Sequence, residues 1–161
     1  MRVFAAALAL LIVTGLTVAC GRTVELSKSL ELHTLSSGWV AAGAADGKTK
    51  LVPTISFTLK NTSDRNLAML QVNALFGRVG DEDEWGSSFL TAAGAAGLAP
   101  GEATSPLTAT SSVGYTGPDS RAALIGHSQF VDARVDLFVK YGSTRWTRLG
   151  RYRIMRDLLA R

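Results

Sequence analysis

From Arg22 to Ser37 the chain alternates: Val24, Leu26, Leu30 and Leu32 fall on one face of an extended segment, and Glu25, Ser27, Ser29, Glu31 and His33 on the other. A period of two predicts a half-buried strand, and Lys28, which interrupts the apolar face, predicts an edge strand. Trp39-Val40 follows, then small residues and Asp46-Gly47, a dipeptide favoured in hairpin turns. Leu51, Pro53, Ile55, Phe57 and Leu59 form the next apolar face, against Thr54, Ser56, Thr58 and Lys60. The polar cluster Asn61–Asn66 ends that strand, and the segment Leu67–Val79 carries the next, with Leu70, Val72, Ala74 and Phe76 as its buried set. Gly80–Gly86, with the acidic run Asp81-Glu82-Asp83-Glu84, predicts a solvated hairpin tip, and Trp85–Thr91 a short strand.

Ala92–Ala99 is rich in alanine and glycine and weakly specified; Leu98–Thr110 holds a Pro-Gly turn and another short strand. Ser111–Gly126 predicts a loop with one helical turn over Pro118–Ile125, proline taking the first helical position. The clearest pattern comes near the end. Val131, Ala133, Val135, Leu137 and Val139 alternate with Asp132, Arg134, Asp136, Phe138 and Lys140, which predicts a long strand with one apolar and one charged face. After the turn Tyr141–Ser143, Trp146, Tyr152 and Ile154 are expected on one face of a last strand and Arg145, Arg151 and Arg153 on the other, with Asp132 and Asp136 opposite the arginines. Such cross-strand ion pairs contribute about 0.2–1 kcal/mol each. Seven to eight short strands with turns between them predict an all-β, antiparallel, immunoglobulin-like sandwich.

The first residues read differently. A single cation, Arg2, precedes the nearly unbroken apolar run Val3–Val18, which ends at the small residue Ala19 and then Cys20. The run is shorter than the roughly 20 residues of a usual spanning helix and has the form of an export signal. The stretch Leu16–Cys20, LTVAC, resembles the lipobox of bacterial lipoproteins, with Ala19 and Cys20 matching and Thr17 standing where leucine is commonest. That resemblance implies a signal peptide over 1–19 with its signal helix, lipidation of Cys20 with palmitate-type chains, and a single mature domain over 20–161. Cys20 is the only cysteine in the chain, so no internal disulfide can form, and acylation would remove an exposed thiol. Two or more acyl chains anchor stably, at about 0.8 kcal/mol per buried methylene.

Two turns carry a second resemblance. Lys60–Asp64, KNTSD, and Leu98–Glu102, LAPGE, resemble the bacterial immunoglobulin-like domains of the FxLYD kind. The family's signature itself is absent, since Ala74-Leu75-Phe76-Gly77 occupies its place. This likeness implies the fold and no activity.

Chemistry is sparse. The two histidines, His33 and His127, stand apart, and no GxSxG elbow is present, so the pairing of nucleophile and base that hydrolysis needs is missing. No metal-ligand spacing and no phosphate loop occurs, and neither an enzyme nor a cofactor is expected. The chain's net charge is +4, or +3 once Arg2 leaves with the signal, which is no nucleic-acid signature. From Lys140 to Arg161 stand seven basic residues and one acid. This region, with Arg145, Trp146, Arg151, Tyr152 and Arg153, is the candidate partner surface, for anionic head groups or an acidic protein; the alternative is a solvated strand face. The expectation is an exported protein anchored through Cys20 on the periplasmic side of the envelope. Gly21, by resemblance to enteric sorting, points to the outer membrane. There the protein acts as a protein-binding or assembly module or as a passive structural lipoprotein.

Overall fold

A computed structural model describes residues 24–45 and 47–160. The proposed signal helix, Cys20 and Asp46 therefore lie outside the described residues. The elements are α1 (Leu26–Ser29), β1 (Leu30–Ala45), β2 (Lys48–Asn61), β3 (Leu70–Arg78), β4 (Gly86–Ala93), β5 (Leu107–Thr110), β6 (Tyr115–Gly117), α2 (Arg121–Gly126), β7 (Ala133–Tyr141) and β8 (Thr147–Arg153). One sheet runs β1-β2-β5, with β6 also on β2, and the other runs β4-β3-β7-β8, all antiparallel. Two antiparallel sheets, one with the first, second and fifth strands and one with the third and seventh side by side, make an all-β sandwich. Eight strands among the described residues agree with the sequence reading.

The inward faces of β3 and β7 are those the alternation predicted. Leu70, Val72, Ala74 and Phe76 interleave with Ala133, Val135, Leu137 and Val139, and all are fully buried. Leu51, Ile55, Phe57 and Leu59 of β2 face them from the other sheet. Val131, expected in this set, lies before β7 and is part-exposed.

The first strand begins later than its pattern implied. Leu26–Ser29 form a helical turn, closed by the Leu30 N–H on the Leu26 carbonyl and by a Lys28–Glu25 ion pair at 2.9 Å. The turn buries Leu26 while leaving Lys28 exposed. From Leu30 the strand continues through Trp39-Val40 to Ala45, and β1 is indeed an edge strand. Its outer edge is closed at Trp39, whose N–H donates to Asp157 and whose carbonyl accepts from Leu159, both at 2.8–2.9 Å. Because Trp39 bonds outward, its pair with Pro53 is a non-hydrogen-bonded one. The proline nitrogen then faces the gap between β5, which pairs with Thr54–Phe57, and β6, which pairs with Thr49–Leu51. This is how a central strand tolerates proline well inside its length.

The two turns that resemble FxLYD domains meet at Asn61. Its buried side chain donates to the carbonyls of Arg65 (2.7 Å) and Leu98 (2.8 Å) and accepts from Ser63. Its backbone pairs with Gly101 and Glu102. Asn61→Ala removes the side-chain tie between the two turns and leaves the Leu98 carbonyl with only the Leu67 N–H. The expected loss is about 1–2 kcal/mol, from two lost hydrogen bonds that contribute about 0.5–1.5 kcal/mol each, read from the urea unfolding midpoint.

Two further expectations need correction. The helical turn starts at Arg121 rather than at Pro118, because the Ser120 side chain caps it by accepting the Ala123 N–H. The segment before it, expected as loop, contains β6.

Candidate docking surface

The outward face of the β4-β3-β7-β8 sheet gathers the residues singled out near the end of the chain, in an order set by one irregularity. Opposite Leu137 stands Gly150, and opposite Phe138 stands Arg148, so Leu149 is an extra residue in β8. Such a bulge shifts the side-chain alternation by one. Arg148, Arg151 and Arg153 thereby share the outward face with Asp136, and Trp146 comes out beside them. The expectation that Trp146 and Tyr152 share a face is thus corrected. Tyr152 turns inward against the core, where burial pushes its phenol above the ordinary value.

One half of this face is ionic. Asp136 is 5% exposed and accepts from Arg134 and Arg148 and, at 2.9 Å, from Arg151 Nε. Arg134, 7% exposed, also donates to the Asp81 carbonyl through Nε (3.1 Å) and Nη2 (2.7 Å), and Arg151 reaches Glu82. The charged face of β7 is therefore covered, not solvated, and the acidic tip is fastened to it by arginines. Burial pushes the Asp136 carboxyl up, but hydrogen bonds from Arg151 and Arg148 outweigh it and hold the group below the usual carboxylate range. Asp132, paired with Arg153 and Arg156, is likewise held low, chiefly by the hydrogen bond from Arg156. Opposite-charge pairing at Asp132 and Asp136 is as expected.

The other half is aromatic. Phe89 of β4 and Phe138 of β7 both stand directly opposite Asn73 of β3. Trp146 meets Phe89 edge to face, with ring centroids 5.9 Å apart, and Lys140 Nζ sits 5.0 Å from the Trp146 ring. Phe89 is 57% and Trp146 39% exposed. Arg145 precedes them on the turn, exposed. Of the five predicted surface residues, the structure places Trp146 and Arg145 at this aromatic half and Arg151 and Arg153 in the ionic half. Phe89 and Phe138 were missed. Phe89 could have been found from its place in an otherwise small, polar strand.

Elsewhere, His33 is exposed, with Glu31 at 3.3 Å, and His127 Nδ1 accepts the Gln129 N–H at the end of α2. His127 borders a recess of about 260 Å³ with Tyr115, Leu124 and Phe130. Among the described residues no cluster of three metal-ligating side chains occurs, and no helix is long and apolar enough to cross a membrane.

No known family and no curated protein matches the sequence. Among solved structures, the X-ray structure of Northeast Structural Genomics Consortium target SoR45 is similar over 80% of this chain and 88% of that chain, at 12% identity and a TM-score of 0.42.

Proposed function

We propose that the chain is a lipid-anchored cell-envelope protein, cut before Cys20, acylated there and held on the periplasmic side, with the outer membrane preferred. Its sandwich acts as a binding or assembly module for another envelope protein. The reading of the leader rests on the resemblance of Leu16–Cys20 to a lipobox. The reading of the domain rests on one observation: the exposed, edge-to-face Phe89–Trp146 pair on an outward sheet face. Exposed aromatics grouped with polar neighbours mark interaction sites, and tryptophan and arginine are the residues that most often carry binding energy there. Lys140 and Arg145 beside the rings favour a partner segment that combines an apolar anchor with acidic residues.

A passive structural role is the second reading. The ion pairs of Arg148, Arg151, Arg153 and Arg156 with Asp132 and Asp136 favour it, because paired arginines leave less charge for a partner.

Pull-down from solubilised membranes separates the two. With the binding module, a specific protein co-purifies with the wild-type chain and its recovery falls at least tenfold with Trp146→Ala. Equal recovery with both, or no partner with either, supports the passive role.

A further inference from the structure

The stretch between the proposed lipid attachment and the fold is short. Three residues separate Cys20 from Val24, the first described residue, so even a fully extended tether holds Val24 within about 14 Å of Cys20. From there the chain enters one end of the sandwich, where the Ser29 carbonyl accepts the Thr62 N–H at 2.9 Å. The turn 61–66 is fastened to the turn 94–97 by Asn66 Nδ2, which donates to the Ala96 carbonyl at 2.8 Å. The turn that follows β7 joins them, because the Gly142 N–H donates to the carbonyls of Ala68 and Met69.

Met69 stands between the last two of these turns, with its N–H on the Gly94 carbonyl at 2.8 Å. Among the described residues it is the one non-glycine with a left-handed backbone, φ 53°. The neighbouring turns meet the same need with Gly97 (φ 83°) and Gly142 (φ 52°). A long side chain is strained in this region. Core packing does not offset the strain here, since Met69 is 48% exposed. Strain of this kind persists where function retains it. Beside Met69, Gly94, Ala95 and Ala96 are exposed in the uncharged run Ala92–Gly97. Asp64 and Arg65 on the adjoining turn carry one charge of each sign. The tip is therefore apolar and without net charge.

We propose that this tip is a second, shallow membrane contact, in which Met69 and the Ala95-Ala96 turn enter the boundary between head groups and acyl chains of the leaflet that holds Cys20. The inference rests on acylation of Cys20. The tether selects the bilayer as the occupant, because an anchored domain keeps this end within reach of it. Contact is then intramolecular, and a small apolar area suffices. Methionine, flexible and polarizable, suits so irregular a boundary. The strands run away from this end, so the outward sheet face with Phe89 stays clear of the lipid for a protein partner.

The full chain, matured in a host that acylates lipoproteins and reconstituted in phosphatidylcholine vesicles, tests this. With Cys20 acylated, an added cysteine is the sole free thiol. Ala95→Cys at the tip, or exposed Gln129→Cys beyond the far end of β7, carries a nitrobenzoxadiazole fluorophore, and part of the lipid carries a nitroxide on its acyl chain. Quenching is expected to be about fivefold stronger at position 95 than at 129. Adding Met69→Asn, which suits the left-handed backbone and loses the apolar side chain, is expected to lower the quenching at 95 about threefold, while the urea unfolding midpoint holds or rises. In a chain that floats with the vesicles, equal quenching at the two positions, or quenching at 95 indifferent to Met69→Asn, overturns the tip contact and leaves the anchor standing. A chain that does not float with the vesicles overturns both.

Discussion

Replacing Asp136 by alanine is expected to destabilise the sandwich by about 3–5 kcal/mol, the range for breaking a buried ion pair by removing one partner. Arg134 is the reason. Its guanidinium is as buried as the carboxylate, and without Asp136 it keeps only the Asp81 carbonyl as acceptor. Arg148 and Arg151 would also crowd it with like charge. Asp136→Asn keeps the shape but not the charge and is expected to cost nearly as much at pH 7. The two variants differ from the wild type in pH dependence, and the sign follows from the depressed carboxyls. A carboxyl whose folded-state pKa is lowered contributes its full stability above the unfolded-state value of about 3.9 and loses it as pH falls through the folded-state value. The wild type should therefore weaken between about pH 4 and the lower folded-state values of Asp136 and Asp132. Asp136→Asn should show a shallower loss, from Asp132 alone. Urea unfolding at pH 7 and at pH 3 measures both. A wild-type stability flat over that interval, or an Asp136→Ala loss below about 1 kcal/mol, contradicts the role given to this cluster.

Trp39→Ala is expected to cost a similar amount, about 3–5 kcal/mol, for a different reason. Trp39 is 0% exposed and contacts three rings: Phe130 at 4.6 Å, Tyr115 at 5.7 Å and Trp85 at 6.2 Å between centroids. Trp85 and Tyr115 also contact each other at 5.2 Å. These rings close one end of the sandwich, so deleting the indole leaves a cavity that rigid neighbours cannot fill. The Trp39 indole N–H is buried with no hydrogen-bond partner, a state that costs about 1–3 kcal/mol by itself. Trp39→Phe removes that orphan donor along with part of the volume. It should therefore cost less than half of what Trp39→Ala costs. Equal losses in the two variants would mean that the indole nitrogen has a partner. Near-ultraviolet circular dichroism should fall in both, because the ring cluster is the main chiral aromatic environment.

The strands with one apolar and one polar face were legible from alternation alone: β3 and β7 have the buried sets their sequences predicted, since a period of two is fixed by strand geometry. What failed was non-local. Leu26–Ser29 reads as strand because Leu26 and Leu30 fit a period of two as well as one helical turn, and only packing decides between them. The three residues of β6 are too few to show a period. The bulge at Leu149 has no local signature, yet it decides that Trp146 shares a face with Arg151 and that Tyr152 does not. The burial of Arg134 and Asp136 depends on the 81–84 tip folding back over β7, which no property of either residue announces. The candidate surface was accordingly half-visible: Trp146 and Arg145 were found from composition near the chain's end, whereas Phe89 and Phe138 are brought to it by strand order.

The proposed lipid attachment at Cys20 is tested directly by labelling with radioactive palmitate in a host that matures lipoproteins. The wild-type chain is expected to take up label and to sediment with membranes, while Cys20→Ala takes up none and loses its anchorage. An unlabelled wild-type chain, beside a control lipoprotein that labels normally, would contradict it.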